Sequence, residues 1–424
     1  MSMGAVLRIS MMRRLWYAQI ISVFGDFLAL FAVIGVLTFN LHATPQQVTG
    51  VSIAYMLPIA ALGIMAGVFV DRWPLKPTMV SRDALRAGLV LLLIFAHQMW
   101  QFYAVLAAIS IVSSFFGPAQ GVAIRSAVPL HGLRSANALM QQVMFGMRII
   151  GPAVAAFLVA SFGARTCYLL DSASFIGSAC LIASVAFISP AKAPETIKPG
   201  APHPALEDVG EAAPTTPASP LTRIWTDMKQ GIGFILHHAG LLFVILALAS
   251  AMFVIGCFGP LIAVYVRDSL HASANVFGIA SALIGAGMLI GINALNAFAK
   301  NVKNTILVYA GLAGIALGLL FLTGFTHVWS TYAGDFIIGF AVAGIIIPSQ
   351  TMIQQETPPA LMGRVGSTVM SLVFGAQIAG LVLSGILADH IGVRHVFAVC
   401  AILLAILITA GRLFMEPKGT PATA

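Results

Sequence analysis

The chain has 424 residues, 59% of them hydrophobic and only 8% charged, with a formal net charge of +8. Soluble domains carry roughly 25% charged residues, so this composition excludes a water-soluble fold and marks an integral membrane protein. A nucleic-acid-binding role, the other reading of so basic a chain, is set aside because the charges scatter over short connections and form no continuous stripe.

A bilayer core needs about 20 helical residues per crossing. Apolar runs of that length fall at 15–40, 48–70, 79–99, 101–124, 136–162 and 165–188, then at 241–266, 273–298, 304–325, 329–353, 365–388 and 393–415. The spacing predicts an all-α membrane protein of twelve helices in two six-helix bundles, over 1–188 and 241–416. Arg8, Arg13 and Arg14 precede the first run as a signal peptide's basic start would. The run is too long for an h-region and shows no clear cleavage site, so a retained first helix is expected.

Asp26, in SVFGDFLAL, lies near the middle of that first helix, beside Phe24. Between the second and third spans runs GVFVDRWPLKP, residues 67–77. Gly67 lets two helices approach closely, Asp71 can accept hydrogen bonds from the amino end of a helix, and Arg72 and Lys76 add basic charge. The fourth span contains Phe115. On the fifth, Arg148 stands 14 residues beyond Arg134, roughly 21 Å along a helix, and is followed by Gly151 and Pro152. A charge at that depth costs on the order of 3 kcal/mol and signals a partner or a watery path; Asp26 is the candidate partner. Asp171, six residues past Arg165, and Asp335, six past Trp329 and next to Phe336, are expected near the outer ends of the sixth and tenth helices, half-solvated, as secondary proton-site candidates.

Residues 189–220 hold eight of the 21 prolines and predict a disordered linker. In 221–240, Leu221, Ile224, Trp225, Met228 and Ile232 at helical spacing predict an amphipathic helix lying along the membrane surface. Residues 417–424 read as a tail. Cys167, Cys180, Cys257 and Cys400 show no metal spacing, nor do His97, His237, His238 and His395, so no metal site is expected.

Eighteen of the 22 Lys and Arg residues, Arg82 and Arg86 among them, fall on one side; Arg165, Arg267 and Arg394 fall on the other. The basic side is expected to be cytoplasmic, with the linker and both termini there. The sequence also repeats itself. A shift of 229 aligns LHAT (41–44) with LHAS (270–273), and Gly146, Gly151, Gly163 and Arg165 with Gly375, Gly380, Gly392 and Arg394; one residue further, Pro118 and Gln120 align with Pro348 and Gln350. Two bundles related by an axis along the membrane normal, able to rock about a central site, follow from this. Gln377 stands at the place of Arg148, and the stretch from Ile255 to Cys257 that answers Asp26 is uncharged, so both charges are missing from the second half.

The loop at 67–77 resembles the cytoplasmic signature of the major facilitator superfamily, Gly-x-x-x-Asp-Arg followed by glycine and basic residues, and the twelve spans, the half-repeat and the linker fit that resemblance. It implies that Asp71 pairs with the cytoplasmic start of the eleventh helix, where Arg364 in MGRVGS is the counterpart, to help hold the outward-open state. Pro74 stands near the family's glycine, and the basic cluster is reduced to Lys76. RIIGPAVAA resembles the superfamily's antiporter signature at Gly151 and Pro152, with Ala155 and Ala156 in place of paired glycines. Together with FFGPAQGVAIRSAVP, SANALMQQ and YLLDSASF it resembles the drug-proton antiporter branch that includes macrolide exporters and the enterobactin exporter, which implies export.

The expected function is therefore secondary active, proton-coupled export of amphiphilic or hydrophobic small molecules by a monomer in the bacterial inner membrane. Asp26 would carry the proton, with Arg148 competing for its carboxylate. The resemblance places Phe24, Phe115 and Phe336 on cavity-lining helices, and an aromatic cavity with one acid suits amphiphiles. No cofactor is implied. HExxH, GxSxG and GxxxxGK[ST] are all missing, which argues against an enzyme or an ATP-driven pump. A lipid or lysophospholipid flippase and a non-transporting membrane sensor are the alternatives.

Overall fold

The computed structural model describes residues 1, 3–70, 73–185, 232–298, 302–358 and 361–415. Asp71, Arg72, the linker expected at 189–220, most of the helix expected at 221–240 and the tail at 417–424 lie outside the described residues. The described residues are helical, with no strand.

A short helix α1 (Met3–Leu7) leads into α2 (Ser10–Gly35), which a π-turn extends to Asn40. Next come α3 (Pro45–Val70), α4 (Leu75–Leu92), α5 (Met99–Ser113), α6 (Phe116–Ala127), α7 (Leu133–Phe162) and α8 (Ala164–Ala183). The second half holds α9 (Ala239–Asp268), α10 (Ala274–Phe298), α11 (Asn304–Gly324), α12 (Val328–Glu356), α13 (Met362–Ile391) and α14 (Val393–Ala410). The fourth expected span is thus two helices, α5 and α6. It breaks at Ser114 and Phe115, where Ser113 Oγ and Ser114 Oγ donate back to Ile109 O and Ile111 O at 2.7 Å each, and Pro118, four residues past Ser114, has no N–H to offer.

Among the described residues eight helices are long and apolar enough to cross a bilayer. Helix α4 falls short because it carries Lys76, Arg82, Asp83 and Arg86. Large apolar side chains such as Trp100, Phe157 and Ile406 stand exposed around the bundle, as a lipid-facing surface requires.

The repeat read from the sequence is present in the backbone. His42 and His271 have positive φ of 48° and 49°, and Gly163 and Gly392 have 80° and 82°. Each pair is separated by the same shift of 229. The tight α7–α8 and α13–α14 turns need the positive φ that glycine adopts without strain. The loops at 41–44 and 270–273 are closed by matching bonds, Ala43 N to Leu37 O at 2.9 Å and Ala272 N to Val266 O at 3.0 Å.

Within the first half α2 packs on α7 and α8, and α4 on α8; within the second, α12 packs on α10 and α11, and α9 on α13. The halves meet through α7 with α10 and through α3 with α13. The polar and aromatic contacts between them gather at the end bearing loops 41–44 and 270–273. Arg267 Nη1 donates to Thr38 O at 2.9 Å and Ala43 O at 2.8 Å while its Nε and Nη2 hold Asp268. Phe277 stacks on Phe31 at 5.5 Å, and Gln46 N donates to Asp389 Oδ1 at 3.4 Å. Pro152 O and Ala156 close on Gly278, so the small residues of RIIGPAVAA form part of this seal. The molecule is closed at this end.

A Cβ built at Gly385 would stand 3.2 Å from Thr49 Cβ across the halves, near the separation a disulfide spans. The pair T49C and G385C is expected to oxidise readily, and adding Arg267→Ala to lower the yield. Thiol counting before and after reduction, on a background lacking the native cysteines, checks both.

Candidate functional site

Helix α4 is amphipathic with its polarity inverted in one place. Its inward stripe runs Met79, Arg82, Asp83, Arg86, Ala87 and Val90, all buried, so two guanidinium groups and a carboxylate occupy the face that a helix normally fills with apolar residues. Sequence reasoning puts Arg82 and Arg86 on the cytoplasmic rim. The structure corrects this: both are inside the bundle, which leaves sixteen Lys and Arg residues on the basic side. The readable signal was opposite charge at neighbouring positions, Arg82 and Asp83, with Arg86 one turn on.

The burial is tolerable because each charge is answered. Arg82 Nε donates to Asp83 Oδ1 at 3.0 Å, and Asp83 Oδ2 accepts from Ser178 Oγ of α8 at 2.7 Å. Arg86 Nη2 pairs with Asp26 of α2. Each guanidinium also lies over a ring, Arg82 over Phe116 at 4.1 Å and Arg86 over Phe175 at 4.0 Å. The Asp26–Arg86 pair is lopsided. The Arg86 side chain is 4% exposed and that of Asp26 24%, so of the two only Asp26 is partly uncovered.

Asp171 stands beside this network. It is 1% exposed rather than half-solvated, and Ser174 Oγ donates to its backbone O at 2.7 Å and lies 3.3 Å from its Oδ1. Both residues press on Gly25 of α2, where any Cβ would collide with Asp171 Oδ1 and Ser174 Oγ. A larger residue at position 25 would force both side chains to move, and the glycine sets α8 close against the residue before Asp26. Asp335 is also buried, at 0% exposure, with neither oxygen hydrogen-bonded. An unpaired charge in that setting costs several kcal/mol.

The other expected residues fall in different places. The side chains of Arg148 and Arg364 lie outside the described residues, as do the surroundings of Gly67; Lys76 is half-buried in the first turn of α4. Gly151 lies against Phe27 of α2. Phe24 packs on the apolar core, Phe115 stacks on Trp73 at 5.7 Å, and Phe336 lays its backbone O against Gly287. These three do not assemble a cavity. Space opens instead between α9, α12 and α13, where about 310 Å³ is lined by Leu248, Met252, Ile346, Gln350 and Met370 among others. A groove of about 490 Å³ runs between α4 and α5 past Trp73, Leu85 and Phe115. No cluster of His, Cys, Asp and Glu able to hold a metal occurs among the described residues.

A buried charge network, two halves with one backbone plan and a seal at one end are the parts of an alternating-access transporter. A family model described as transmembrane secretion effector matches residues 1–422. The chain belongs to this family of the major facilitator superfamily. It is similar to the uncharacterized MFS-type transporter YfiS of Bacillus subtilis (strain 168), 27% identical over 399 residues covering 92% of this chain and 89% of that one. Macrolide efflux protein A of Streptococcus pyogenes is 25% identical over 405 residues, 92% of each chain. The nucleoside transporter NupG superposes with a TM-score of 0.69 at 12% identity, covering 96% of this chain and 100% of that chain. A bacterial homologue of the human lysosomal transporter Spinster, in an inward-facing, unoccupied conformation, superposes with a TM-score of 0.65 at 13% identity over 99% of both chains. These two solved structures establish the shared fold. The facilitator is a membrane transporter of small molecules and not an enzyme.

Removing Arg86 leaves Asp26 and its neighbours uncompensated, a loss of roughly 3–5 kcal/mol for a buried pair. Arg86→Ala is expected to lower the melting temperature in detergent markedly and Arg86→Lys to restore part of it. Asp335→Asn, which removes a buried carboxyl that has no hydrogen-bond partner, is expected to melt at or above the wild type. Thermal-shift scans of the three variants read this directly.

Proposed function

We propose that this facilitator exports amphiphilic or hydrophobic small molecules in exchange for protons, with Asp26 as the proton carrier. The observation that carries the reading is the lopsided ion pair: a carboxylate at membrane depth with one face open and a buried cation behind it. Such a group has two stable conditions. Ionised, it is held by Arg86; protonated, it lets Arg86 go and leaves the open face to cargo. Arg148, on α7 next to α2, is the second cation proposed to compete for it.

With the basic side cytoplasmic, both termini are inside, the sealed end is the outer one, and the conformation is inward-facing. An ionised, paired Asp26 fits the moment after a proton has left to the cytoplasm. In this reading the bundles at 1–188 and 241–416 rock as units in the inner membrane of a bacterium, and one chain suffices. The gate of Gly67, Asp71, Arg72, Lys76 and Arg364 would re-form when the inner side closes. The Macrolide efflux protein A relative supports export of bulky amphiphiles. A lipid flippase is the second reading, favoured by the largely apolar groove of about 490 Å³ beside Trp73 and Phe115.

Proteoliposomes with an imposed proton gradient test the proposal, using a panel of fluorescent lipophilic cations and uncharged amphiphiles. Wild type is expected to move a dye against its gradient, Asp26→Asn to bind it but lose dependence on the proton gradient, and Arg148→Gln to shift the pH profile. Normal gradient-driven transport by both variants would make the pair structural. Movement of labelled lysophospholipid without proton dependence would favour the flippase.

A further inference from the structure

The repeat gives the protein an internal control on what each half is for. In the first half, Gln120 Nε2 donates to Gln19 Oε1 at 2.9 Å and lies 3.6 Å from Met140 Sδ. The space around them, with Leu15, Phe116 and Ile124, is nearly full, a void of about 10 Å³, which is room for about one water. The shift of 229 to 230 residues that relates the halves carries Gln120 to Gln350, Gln19 to Leu248, Phe116 to Ile346 and Met140 to Val369. Those second-half residues line the cavity of about 310 Å³. The same place in the same fold is packed shut in one half and open in the other.

The substitutions account for the difference. Leu248 cannot accept from Gln350 as Gln19 accepts from Gln120, and Val369 is shorter than the Met140 it replaces. Gly366, on the same lining, has nothing within 4 Å of where a Cβ would stand, so no neighbour fills the space it leaves. The cavity lies towards the amino end of α9, the carboxyl end of α12 and the amino end of α13, which is the end opposite the seal. Among the described residues its lining holds no charge. Gln350 and Gln354 supply the amide donors and acceptors, and Met252 and Met370 are flexible enough to fit differently shaped apolar bodies.

We propose that this cavity is the cargo-binding site, and that it takes uncharged amphiphiles with an apolar body and a carbonyl or hydroxyl group held by Gln350. The inference rests on the export reading above and refines it: cargo sits in the second half, the proton carrier in the first, and cargo needs no positive charge to bind. Binding and protonation then communicate through the rocking of the halves instead of by contact.

The test is equilibrium binding of Nile red, an uncharged dye with a carbonyl oxygen, to the purified protein in nanodiscs without any gradient. Wild type is expected to bind. Gln350→Leu should weaken binding about 3- to 10-fold, the range of one hydrogen bond. Met370→Trp, which fills the cavity, should weaken it more than tenfold, and Leu248→Gln, which recreates the first-half arrangement, serves where Met370→Trp does not fold. Gln120→Leu, at the packed counterpart in the first half, should leave the dissociation constant unchanged. No binding by wild type, or wild-type affinity in folded Gln350→Leu and Leu248→Gln, overturns the site even if proton-driven transport is found. Loss of binding in these variants supports the site even if transport proves independent of protons.

Discussion

The constraint on which this structure depends is the cost of charge inside a membrane bundle. Helix α4 carries two arginines and an aspartate on its inward stripe, and the first half is arranged so that none is left alone. Asp26 comes from α2, Ser178 and the Phe175 ring from α8, and the Phe116 ring from α6. Four helices are thereby fixed in register by electrostatics, where apolar packing alone gives little preference for one rotation over another, since lipid is as apolar as leucine. Gly25 completes the arrangement by letting Asp171 and Ser174 lie on the α2 backbone beside the acid.

That concentration of polarity has a counterpart in the second half, which keeps the backbone plan and discards the charges. The paired positive-φ turns at His42 and His271 and at Gly163 and Gly392 show that the chain path is one design used twice. What differs is the filling. Chemistry sits in α2, α4 and α8, and free space sits among α9, α12 and α13. Two halves with one chain path and different contents form the parallel-repeat arrangement on which alternating access is built.

The seal ties the two descriptions together. Arg267 satisfies its neighbour Asp268 and reaches across to two carbonyl oxygens of the other half, so the contact adds a charge-assisted bond without adding an unpaired charge. Backbone carbonyls at the end of a helix are acceptors that water can take over when the halves separate. The apolar Phe31 and Phe277 contact and the close approach at Gly278 add shape complementarity to this polar contact.

The sequence by itself determined the membrane class, the twelve spans to within a few residues for most of them, the repeat and its shift, and the superfamily. The first three follow from composition, hydropathy and spacing, which are local and additive along the chain, while the superfamily came from the resemblance carried by the loop at 67–77. It also singled out Asp26, since an acid in the middle of an apolar run is visible wherever it points. What it could not supply was the partner. Arg86 looked like one more basic residue near a loop, and only the packing of α4 on α8 shows that its stripe faces inward. Asp171 and Asp335 were expected at half-wet helix ends because distance along a helix can be counted, whereas rotation about its axis is set by neighbours. The open space among Leu248, Met252, Gln350 and Met370 was not legible either, because a void is made by what is missing between helices, and no residue encodes a gap until its neighbours are in place.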